Sequence, residues 1–436
     1  MKGMLTAHYR IWALILVSLF VGSSALAESQ VAVSGQVRFR KEFDRRNFSS
    51  TYKLETYSFL RTRINIDAKV NENAHAFVQF QDSRILGGAT FMGQQQSGAL
   101  NDGKNVDVHQ AYLKIDNLLG EGWGAMAGRF EVNLGNQRTF GAVGWHNVGR
   151  SWEGGTGWYD NKSIKVTGMA LKAIEAMNLT GNRDFDVFGF TVDAKKAKAS
   201  FFGILERNAK RDAVGRRSFN RFNLGGYIKQ KKDNFDFEAN AVYQGGTIST
   251  AFASGSKSIV GSPVAQTPTT GDKALDIKAF MATGEVGYNF PGANHVRLAI
   301  GADISSGDDD PTDTDYKSYN NLYFTGHKFR GYMDYFLKSN YGGLMDLMFR
   351  GKFDATTGWI VKGDIHYFKT MQDYVDYTAA LTSDVGVEID LSVITTRVKG
   401  AKIVNGVSMF LPQDSFAKTA DSDPGFWGYS QVIVNF

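Results

Sequence analysis

Arginines and carboxylates recur at alternate positions in several stretches of this chain, and their chemistry suits the binding of an anion. A guanidinium group forms paired hydrogen bonds with a carboxylate or phosphate, so several of them on one surface would attract anionic solutes. Interspersed carboxylates would hold the arginines in place and keep solute binding weak enough for release. The basic residues with this placement are Arg38, Arg40, Arg61, Arg63, Lys114, Arg129, Arg297, Arg350 and Lys362. The acidic residues that accompany them are Glu131, Glu238, Asp346, Asp364, Glu388 and Asp390.

Each of these charged residues could instead form an ion pair that only holds neighbouring strands together. The sequence leaves both roles open for any single residue. As a set, however, they are predicted to act as a charge filter, because mixed charges have no reason to share one face of a strand unless that face is wet.

The segments that carry these charges alternate between apolar and polar residues, which is typical of β-strands with two unlike faces. In residues 60–70, Ile64 and Ile66 lie on one face, while Arg61 and Arg63 lie on the other. The pattern recurs at residues 235–244, 296–304, 359–367 and 385–393. A water-soluble β-sandwich could show the same alternation. Whether the apolar face contacts a protein core or lipid therefore depends on where the protein is located.

Both ends of the chain indicate export to an outer membrane. A basic start, an apolar stretch at residues 11–21 and a small-x-small sequence at residues 25–27 together predict a secretory signal peptide. The apolar stretch is shorter than the roughly 20 residues that a membrane-spanning helix needs, which disfavours a retained anchor. We therefore predict a signal peptide at residues 1–27 and a mature barrel at residues 28–436. The alternating C-terminal segment ends on Phe436, as the last strand of an outer-membrane β-barrel does.

The composition agrees with a barrel and excludes several other classes. Gly is abundant (48), Pro is scarce (6), and aromatic residues make up 13% of the chain, a mixture that suits strands, turns and interfacial aromatic girdles. The absence of cysteine excludes a disulfide framework, and a net charge of +5 is too small to indicate nucleic-acid binding. Without a long apolar span, only a closed sheet satisfies its backbone in lipid. We predict an all-β, transmembrane antiparallel barrel with its charged face towards a wet lumen.

Nineteen segments of the chain fit a strand pattern, whereas a single-chain bacterial barrel has an even number of strands. They begin near Val31, Leu54, Asn73, Val106, Gly122, Gly149, Ile164, Phe185, Ala199, Phe219, Phe235, Ile277, His295, Phe329, Gly342, Gly358, Val385, Ala401 and Phe426. Short links should be periplasmic, as at residues 71–73 and 291–294, and long ones extracellular, as at residues 251–276 and 305–328. This order holds only if residues 329–341 are no wall strand. We predict that they continue the outer loop into the lumen, which leaves about 18 strands.

Several short motifs resemble those of alginate-export-type outer-membrane porins. The main block comprises residues 307–313 (GDDDPTD), 321–327 (NLYFTGH) and 331–334 (GYMD). Further matches are residues 61–63 (RTR), 81–84 (QDSR), 109–112 (HQAY), 128–131 (GRFE), 135–138 (GNQR) and 386–390 (GVEID). Their order along most of the mature chain is more specific than any one of them.

The resemblance implies an 18-stranded barrel whose narrow lumen is lined by arginines and carboxylates. It also implies passage of an anionic polysaccharide or of another small anionic or polar solute. By matching position, it adds candidate pathway residues at Arg61, Arg63, Arg84, Arg129 and Arg138.

An acidic stretch at residues 308–315 precedes Arg330 and Asp334, which together could shape the pore mouth. Clustered aspartates could bind Ca²⁺, which prefers several oxygen ligands, but a solvated turn-forming loop is the favoured interpretation. The P-loop-like residues 98–104 are rejected, because Asn105 replaces the required Ser or Thr. The seven histidines show no metal-binding spacing.

These patterns predict a channel for passive diffusion or export of a small anionic or polar solute, an acidic saccharide being one candidate. We expect no cofactor and no nucleic-acid partner; the expected partners are outer-membrane lipid and, during biogenesis, the barrel-assembly machinery. Two alternatives stay open. A barrel hydrolase would bring a Ser, a His and an Asn or Asp together on adjacent strands, and a scaffold barrel would enclose a partner protein in a wider, less charged lumen.

Overall fold

The computed structural model describes residues 30–86, 106–175, 184–211, 217–249, 274–292, 294–310, 313–375, 380–413, 416 and 422–436. The predicted signal peptide at residues 1–27 lies outside the described residues. So do the P-loop-like residues 98–104 and most of the predicted outer loop at residues 251–276.

The described residues form nineteen β-strands in one sheet and one short 3₁₀ turn at Gly326–Lys328. The first ten strands are β1 (Gln30–Arg45), β2 (Glu55–Lys69), β3 (Ala74–Ile85), β4 (Asp107–Asp116), β5 (Trp123–Phe130), β6 (Trp152–Asp160), β7 (Ile164–Ile174), β8 (Phe185–Ala194), β9 (Ala199–Arg211) and β10 (Arg217–Lys232). The others are β11 (Phe235–Ser249), β12 (Ala274–Asn289), β13 (Arg297–Ser305), β14 (Asp315–Tyr316), β15 (Leu344–Thr356), β16 (Trp359–Val375), β17 (Leu381–Thr395), β18 (Ala401–Pro412) and β19 (Gly425–Asn435). Within the described part of the chain, no helix is long and apolar enough to cross a membrane.

The sheet closes on itself, because β1 pairs antiparallel with both β2 and β19. The remaining wall strands pair antiparallel with their neighbours in the chain, with one exception. Strand β13 pairs directly with β15, since the two-residue β14 pairs in parallel with β12 inside a loop. Removing β14 from the nineteen strands leaves 18 in the wall, which confirms the predicted closed barrel and its strand number.

Asparagine side chains complete two of the tight periplasmic links. In the turn after β2, the Asn71 side-chain oxygen accepts hydrogen bonds from the backbone N–H groups of Asn73 and Ala74, at 2.9 and 2.8 Å. Asn161 does the same for Ser163 and Ile164 after β6. Such side-chain turns reverse the chain in few residues and set the register of the flanking strands.

The residue faces follow the predicted alternation around most of the wall. On β1, Phe39 and Phe43 are exposed, whereas Arg38 and Arg40 are buried. On β13, Ile300 is exposed and Asp303 is buried. The exposed apolar face contacts lipid in an outer-membrane barrel, and the buried polar face lines an interior that other parts of the chain fill.

Two extracellular loops fill that interior. We name them the first inward loop, residues 131–151, and the second inward loop, residues 306–343. The predicted inward fold of residues 329–341 is confirmed: no strand forms there, and Phe329, Met333 and Phe336 are buried. The inward fold of residues 131–151 was not predicted. The apolar core of the molecule therefore lies inside the barrel, where these loops pack against the wall.

Candidate solute pathway

Four arginines on β1 and β2 form a basic patch on the lumen wall, which we name the arginine cluster: Arg38, Arg40, Arg61 and Arg63. Strand pairing places Arg38 directly opposite Arg61. Like charges in such a position repel each other, so the cluster needs acceptors to be stable.

The first inward loop supplies those acceptors from its main chain. Arg38 donates from Nη1 to the carbonyl oxygen of Gly144 at 2.7 Å and from Nη2 to that of His146 at 3.1 Å. Arg61 donates from Nη1 to the same two oxygens at 3.2 and 3.3 Å. Arg40 donates to the carbonyl oxygen of Trp145 at 2.7 Å. Three consecutive carbonyl groups of this loop therefore bind the cluster.

Carboxylates balance only half of the cluster. Arg40 pairs with Glu42 at 2.6 Å, and Arg63 pairs with Glu131 at 3.1 Å. Among the described residues, Arg38 and Arg61 have no carboxylate within ion-pair distance, and their Nε atoms are buried without a hydrogen-bond partner. The basic wall thus carries excess positive charge, and carbonyl groups and side-chain amides supply the hydrogen-bond acceptors of Arg38 and Arg61.

The arginine cluster shifts the pKa values of two nearby groups of the first inward loop, Glu131 and His146. Burial alone would raise the pKa of Glu131, but its hydrogen bond with His109 (2.9 Å) and the charge of Arg63 outweigh burial and lower that pKa. Burial lowers the pKa of His146, and the charges of Arg40 and Arg38 lower it further. At neutral pH, the loop therefore faces the cluster with an ionised carboxylate and a neutral imidazole.

A second part of the lumen wall, at β17, is acidic and holds the second inward loop; only β18 and β19 separate it from β1. On β17, Glu388 accepts a hydrogen bond from the backbone N–H of Met333 at 2.7 Å, and Asp390 accepts one from Tyr332 at 3.3 Å. Both carboxylates are completely buried. Gly331 has a φ of +75°, and a side chain there would overlap Glu388. Glu388 and Asp390, predicted as pathway residues, thus contact the loop backbone in this structure.

Asp303 on β13 joins both loops to the wall. It forms an ion pair with Arg138 of the first inward loop and another, at 3.2 Å, with Arg330 of the second. Arg330 also donates to the Asn321 side chain at 2.9 Å. All three charged groups are buried, so the removal of one would leave an uncompensated charge.

The two inward loops also pack on each other. The rings of Trp145 and His327 stack with centroids 4.0 Å apart, and Phe140 contacts Tyr323 at 4.7 Å. The backbone N–H of Gly141 donates to the carbonyl oxygen of Tyr323 at 2.9 Å. The loops therefore form one connected constriction, which contacts the basic wall at β1 and β2 and the acidic wall at β17.

The other predicted lumen charges are mostly ion-paired. Arg297 pairs with Asp236 and with Glu285, the latter at 2.8 Å, and Arg350 reaches the same Glu285 at 3.1 Å. Four more of the predicted residues have charged neighbours. Lys114 pairs with Asp116 at 2.6 Å, Asp334 contacts His327 at 3.0 Å, and Lys362 shares the lumen face of β16 with Asp364.

Two predicted pathway residues face outwards. Arg84 contacts Asp82 at 2.8 Å on the face of β3 that also carries the exposed Phe80. Arg129 pairs with Glu153 at 2.7 Å, and its strand neighbour Ala111 shares a face with the exposed Leu113. Arg84 was inferred from resemblance alone. For Arg129 the alternation was ambiguous, because small residues occupy most of β5.

Several residues that complete the site were not predicted as site residues from the sequence. Glu42, His109 and Asn147 hold members of the arginine cluster, and Glu285 and Asp303 hold arginines elsewhere. The alternation of apolar and polar residues placed Asp303 on the polar face of its strand, so the sequence did carry a signal for this residue. Asn147 and the carbonyl groups beside it had no sequence signal, because their role depends on the fold of the loop.

His366, which is buried on the lumen face, could serve as the histidine of the hydrolase alternative. Its Nδ1 contacts Asp346 at 2.9 Å, and its Nε2 lies 3.9 Å from Asp390. A catalytic triad needs the nucleophile at the nitrogen that the first carboxylate leaves free. Here a second carboxylate occupies that side.

The acidic stretch of the second inward loop is held by lysines and main-chain amides. Lys317 pairs with Asp309 at 2.5 Å and with Asp313 at 3.4 Å. Asp308 is buried and accepts two backbone N–H groups; burial raises its pKa to about 6. Among the described residues, no group of three or more His, Asp or Glu side chains is placed to hold a metal ion.

Comparison with known proteins places this barrel in a family. The model of the family described as "Alginate export" matches residues 29–428. The chain belongs to the alginate export family. No curated protein matches it significantly.

Solved porin structures share the fold of this alginate export family member. OccAB1 from Acinetobacter baumannii has a TM-score of 0.60 and 10% identity, covering 95% of this chain and 99% of its own. OccK8 (OprE) from Pseudomonas aeruginosa has a TM-score of 0.58 and 13% identity, covering 94% and 98%. OpdK from Pseudomonas aeruginosa, solved with vanillate, has a TM-score of 0.57 and 9% identity, covering 93% and 98%. The chain is therefore a porin-like β-barrel of the bacterial outer membrane.

Proposed function

We propose that this barrel is a diffusion channel for a small anionic solute, which passes the constriction along the arginine cluster. The observation that carries the proposal is the charge imbalance on β1 and β2. Arg38 and Arg61 are buried in the lumen wall without a carboxylate partner among the described residues. Charges in a narrow lumen select ions of opposite sign, so an uncompensated basic wall favours anions.

A carboxylate is the solute group that fits this wall best. Guanidinium groups bind carboxylates through paired hydrogen bonds, and two of them directly opposite each other can share one acceptor. The vanillate in the OpdK structure is a small aromatic carboxylate, and alginate, after which the family is described, is a polymer of sugar carboxylates. An acidic saccharide is therefore the solute class that we put first.

The geometry favours a channel over the two alternatives. The buried His366 lies between two carboxylates, an arrangement that provides no nucleophile for hydrolysis. The chain's own loops pack inside the barrel against charged walls, whereas a scaffold would leave that space to a partner protein.

Solute flux into liposomes tests the proposal. Purified barrel in liposomes should admit sodium glucuronate faster than glucose, a neutral sugar of nearly the same size. Replacement of Arg38 and Arg61 together by Gln keeps hydrogen-bond donors but removes both charges, so the preference for glucuronate should fall several-fold. Arg45→Gln, on the outward face of β1, is the matched control and should keep the preference. Equal entry of both solutes through the unmodified barrel would refute the proposal.

A further inference from the structure

Main-chain carbonyl groups occupy the position in the arginine cluster that a carboxylate would take. The Gly144 oxygen lies within hydrogen-bond distance of both Arg38 and Arg61, at 2.7 and 3.2 Å. The His146 oxygen does the same at 3.1 and 3.3 Å. Two oxygens, each shared by two guanidinium groups, reproduce the acceptor pattern of one carboxylate between two arginines.

A carboxylate would bind there more strongly than the carbonyl groups do. A hydrogen bond with an ionised acceptor is roughly twice as strong as one with a neutral acceptor. The Nε atoms of Arg38 and Arg61 are also buried without a partner, so the two guanidinium groups have donor capacity left. The loop is therefore a weaker occupant than the solute class proposed for the channel.

In the first inward loop, residues 143–149 could move while the hydrogen-bonded base of the loop stays in place. Below it, the backbone N–H of Arg150 donates to the carbonyl oxygen of Ala142 at 2.9 Å, and the Ala142 N–H donates to the Asn133 side chain at 2.8 Å. Gly144 is exposed, and no atom lies within 4 Å of the position that a Cβ would take. The hydrogen-bonded base closes a short excursion at residues 143–149.

Uncharged donors also hold the residues beyond this stretch, and an anion competes with them less than with arginines. Gln81 donates to the Val148 carbonyl oxygen at 2.7 Å, and Ser83 donates to that of Asn147 at 2.8 Å. Arg38 also donates to the Asn147 side chain at 3.3 Å, and Arg63 to the Val148 carbonyl oxygen at 3.5 Å. Displacement by an anion is therefore centred on residues 144–146, where three consecutive carbonyl groups bind charged arginines.

We propose that a carboxylate solute displaces the Gly144 and His146 carbonyl groups from Arg38 and Arg61, and that its binding frees residues 144–146 from the wall. The inference rests on the proposed function, since it names the regulation of the same site. The first inward loop then acts as a pseudo-ligand that closes the basic wall until an anion takes its place.

A spin label on the loop tests this directly. The chain has no cysteine, so Gly144→Cys provides a single attachment site with free space around it. Electron paramagnetic resonance of the nitroxide-labelled barrel in liposomes should show a several-fold rise in the mobile fraction as sodium glucuronate is added. Glucose at the same concentration should leave the spectrum unchanged, and sodium chloride at the same ionic strength should have a smaller effect than glucuronate.

Variants separate this inference from the proposed function. With Arg38→Gln and Arg61→Gln added to the labelled protein, the response to glucuronate should disappear; Arg38→Gln alone serves if the double variant does not fold. The outward-facing Arg45→Gln should preserve the response. A label that stays immobile in a barrel that still conducts glucuronate would overturn the displacement alone. Failure to prefer glucuronate over glucose in the flux assay would instead refute the proposed function.

Discussion

At the scale of single residues, the lumen charges act through the backbone of the inward loops. Arg38 and Arg61 bind carbonyl oxygens, and Glu388 and Asp390 bind N–H groups. Each wall therefore contacts the end of the peptide dipole that complements its own charge. This explains how Arg38, Arg61 and Glu388 can be almost completely buried without an ion-pair partner in the described part of the chain.

Gly331 is the residue where this arrangement is least tolerant of change. Its φ of +75° is unfavourable for any side chain, and a Cβ would overlap Glu388. We expect Gly331→Ala to destabilise the closed position of the second inward loop by about 1–3 kcal/mol, with larger and noisier single-channel conductance. Gly144→Ala is the control, because the site is open. Identical conductance traces for both variants and the unmodified barrel would show that the loop does not depend on this contact.

At the scale of elements, the two inward loops should be energetically coupled through the stack of Trp145 on His327. We expect Trp145→Ala and His327→Ala to lower the free energy of unfolding non-additively. A double-mutant cycle measured by urea unfolding should give a coupling of about 0.5–1.5 kcal/mol. Strictly additive effects would mean that each loop is held by its own wall alone.

The second inward loop should also respond to pH through Asp308. Its pKa is raised by burial to about 6, above the ordinary value of about 3.9, so the folded loop favours the protonated form. The penalty for ionisation is absent below about pH 4 and complete above about pH 6, where it costs the loop at most about 3 kcal/mol. Single-channel recordings should therefore show a quieter, more closed channel at pH 5 than at pH 7.5.

Asp308→Asn tests that assignment, because the amide is nearly isosteric and does not titrate. The variant should be equally quiet at both pH values, whereas Asp309→Asn, which removes an exposed partner of Lys317, should keep the pH dependence. If Asp308→Asn retains the full pH effect, another group is responsible.

At the scale of the whole molecule, the strands of the barrel wall could be predicted from the sequence better than the loops inside the barrel. The alternation of apolar and polar residues and the order of short and long connections were sufficient to predict 18 strands. They also sufficed to reject residues 329–341 as a wall strand. These signals are local, because each strand must present one face to lipid. The largest error in a strand start is four residues, between Val385 and Leu381.

The filling of the lumen depends on contacts distant in sequence, which alternation does not encode. Carbonyl groups of residues 144–146 meet Arg38, Arg40 and Arg61 across about a hundred positions of the chain. Parity also fails where small residues dominate, which is why Arg129 was predicted to face the lumen. Membership in the alginate export family and the barrel itself are shown, whereas the signal peptide at residues 1–27 stays a prediction.

If the arginine cluster makes this barrel select anions, its effect should be visible in ion currents. The most direct test is the reversal potential of the purified barrel in a planar bilayer that separates unequal KCl concentrations. The charge imbalance at Arg38 and Arg61 predicts a reversal potential with the sign of chloride selectivity, reduced when both arginines are replaced by Gln. A potential of the opposite sign, unchanged in that double variant, would show that the arginine cluster does not select anions.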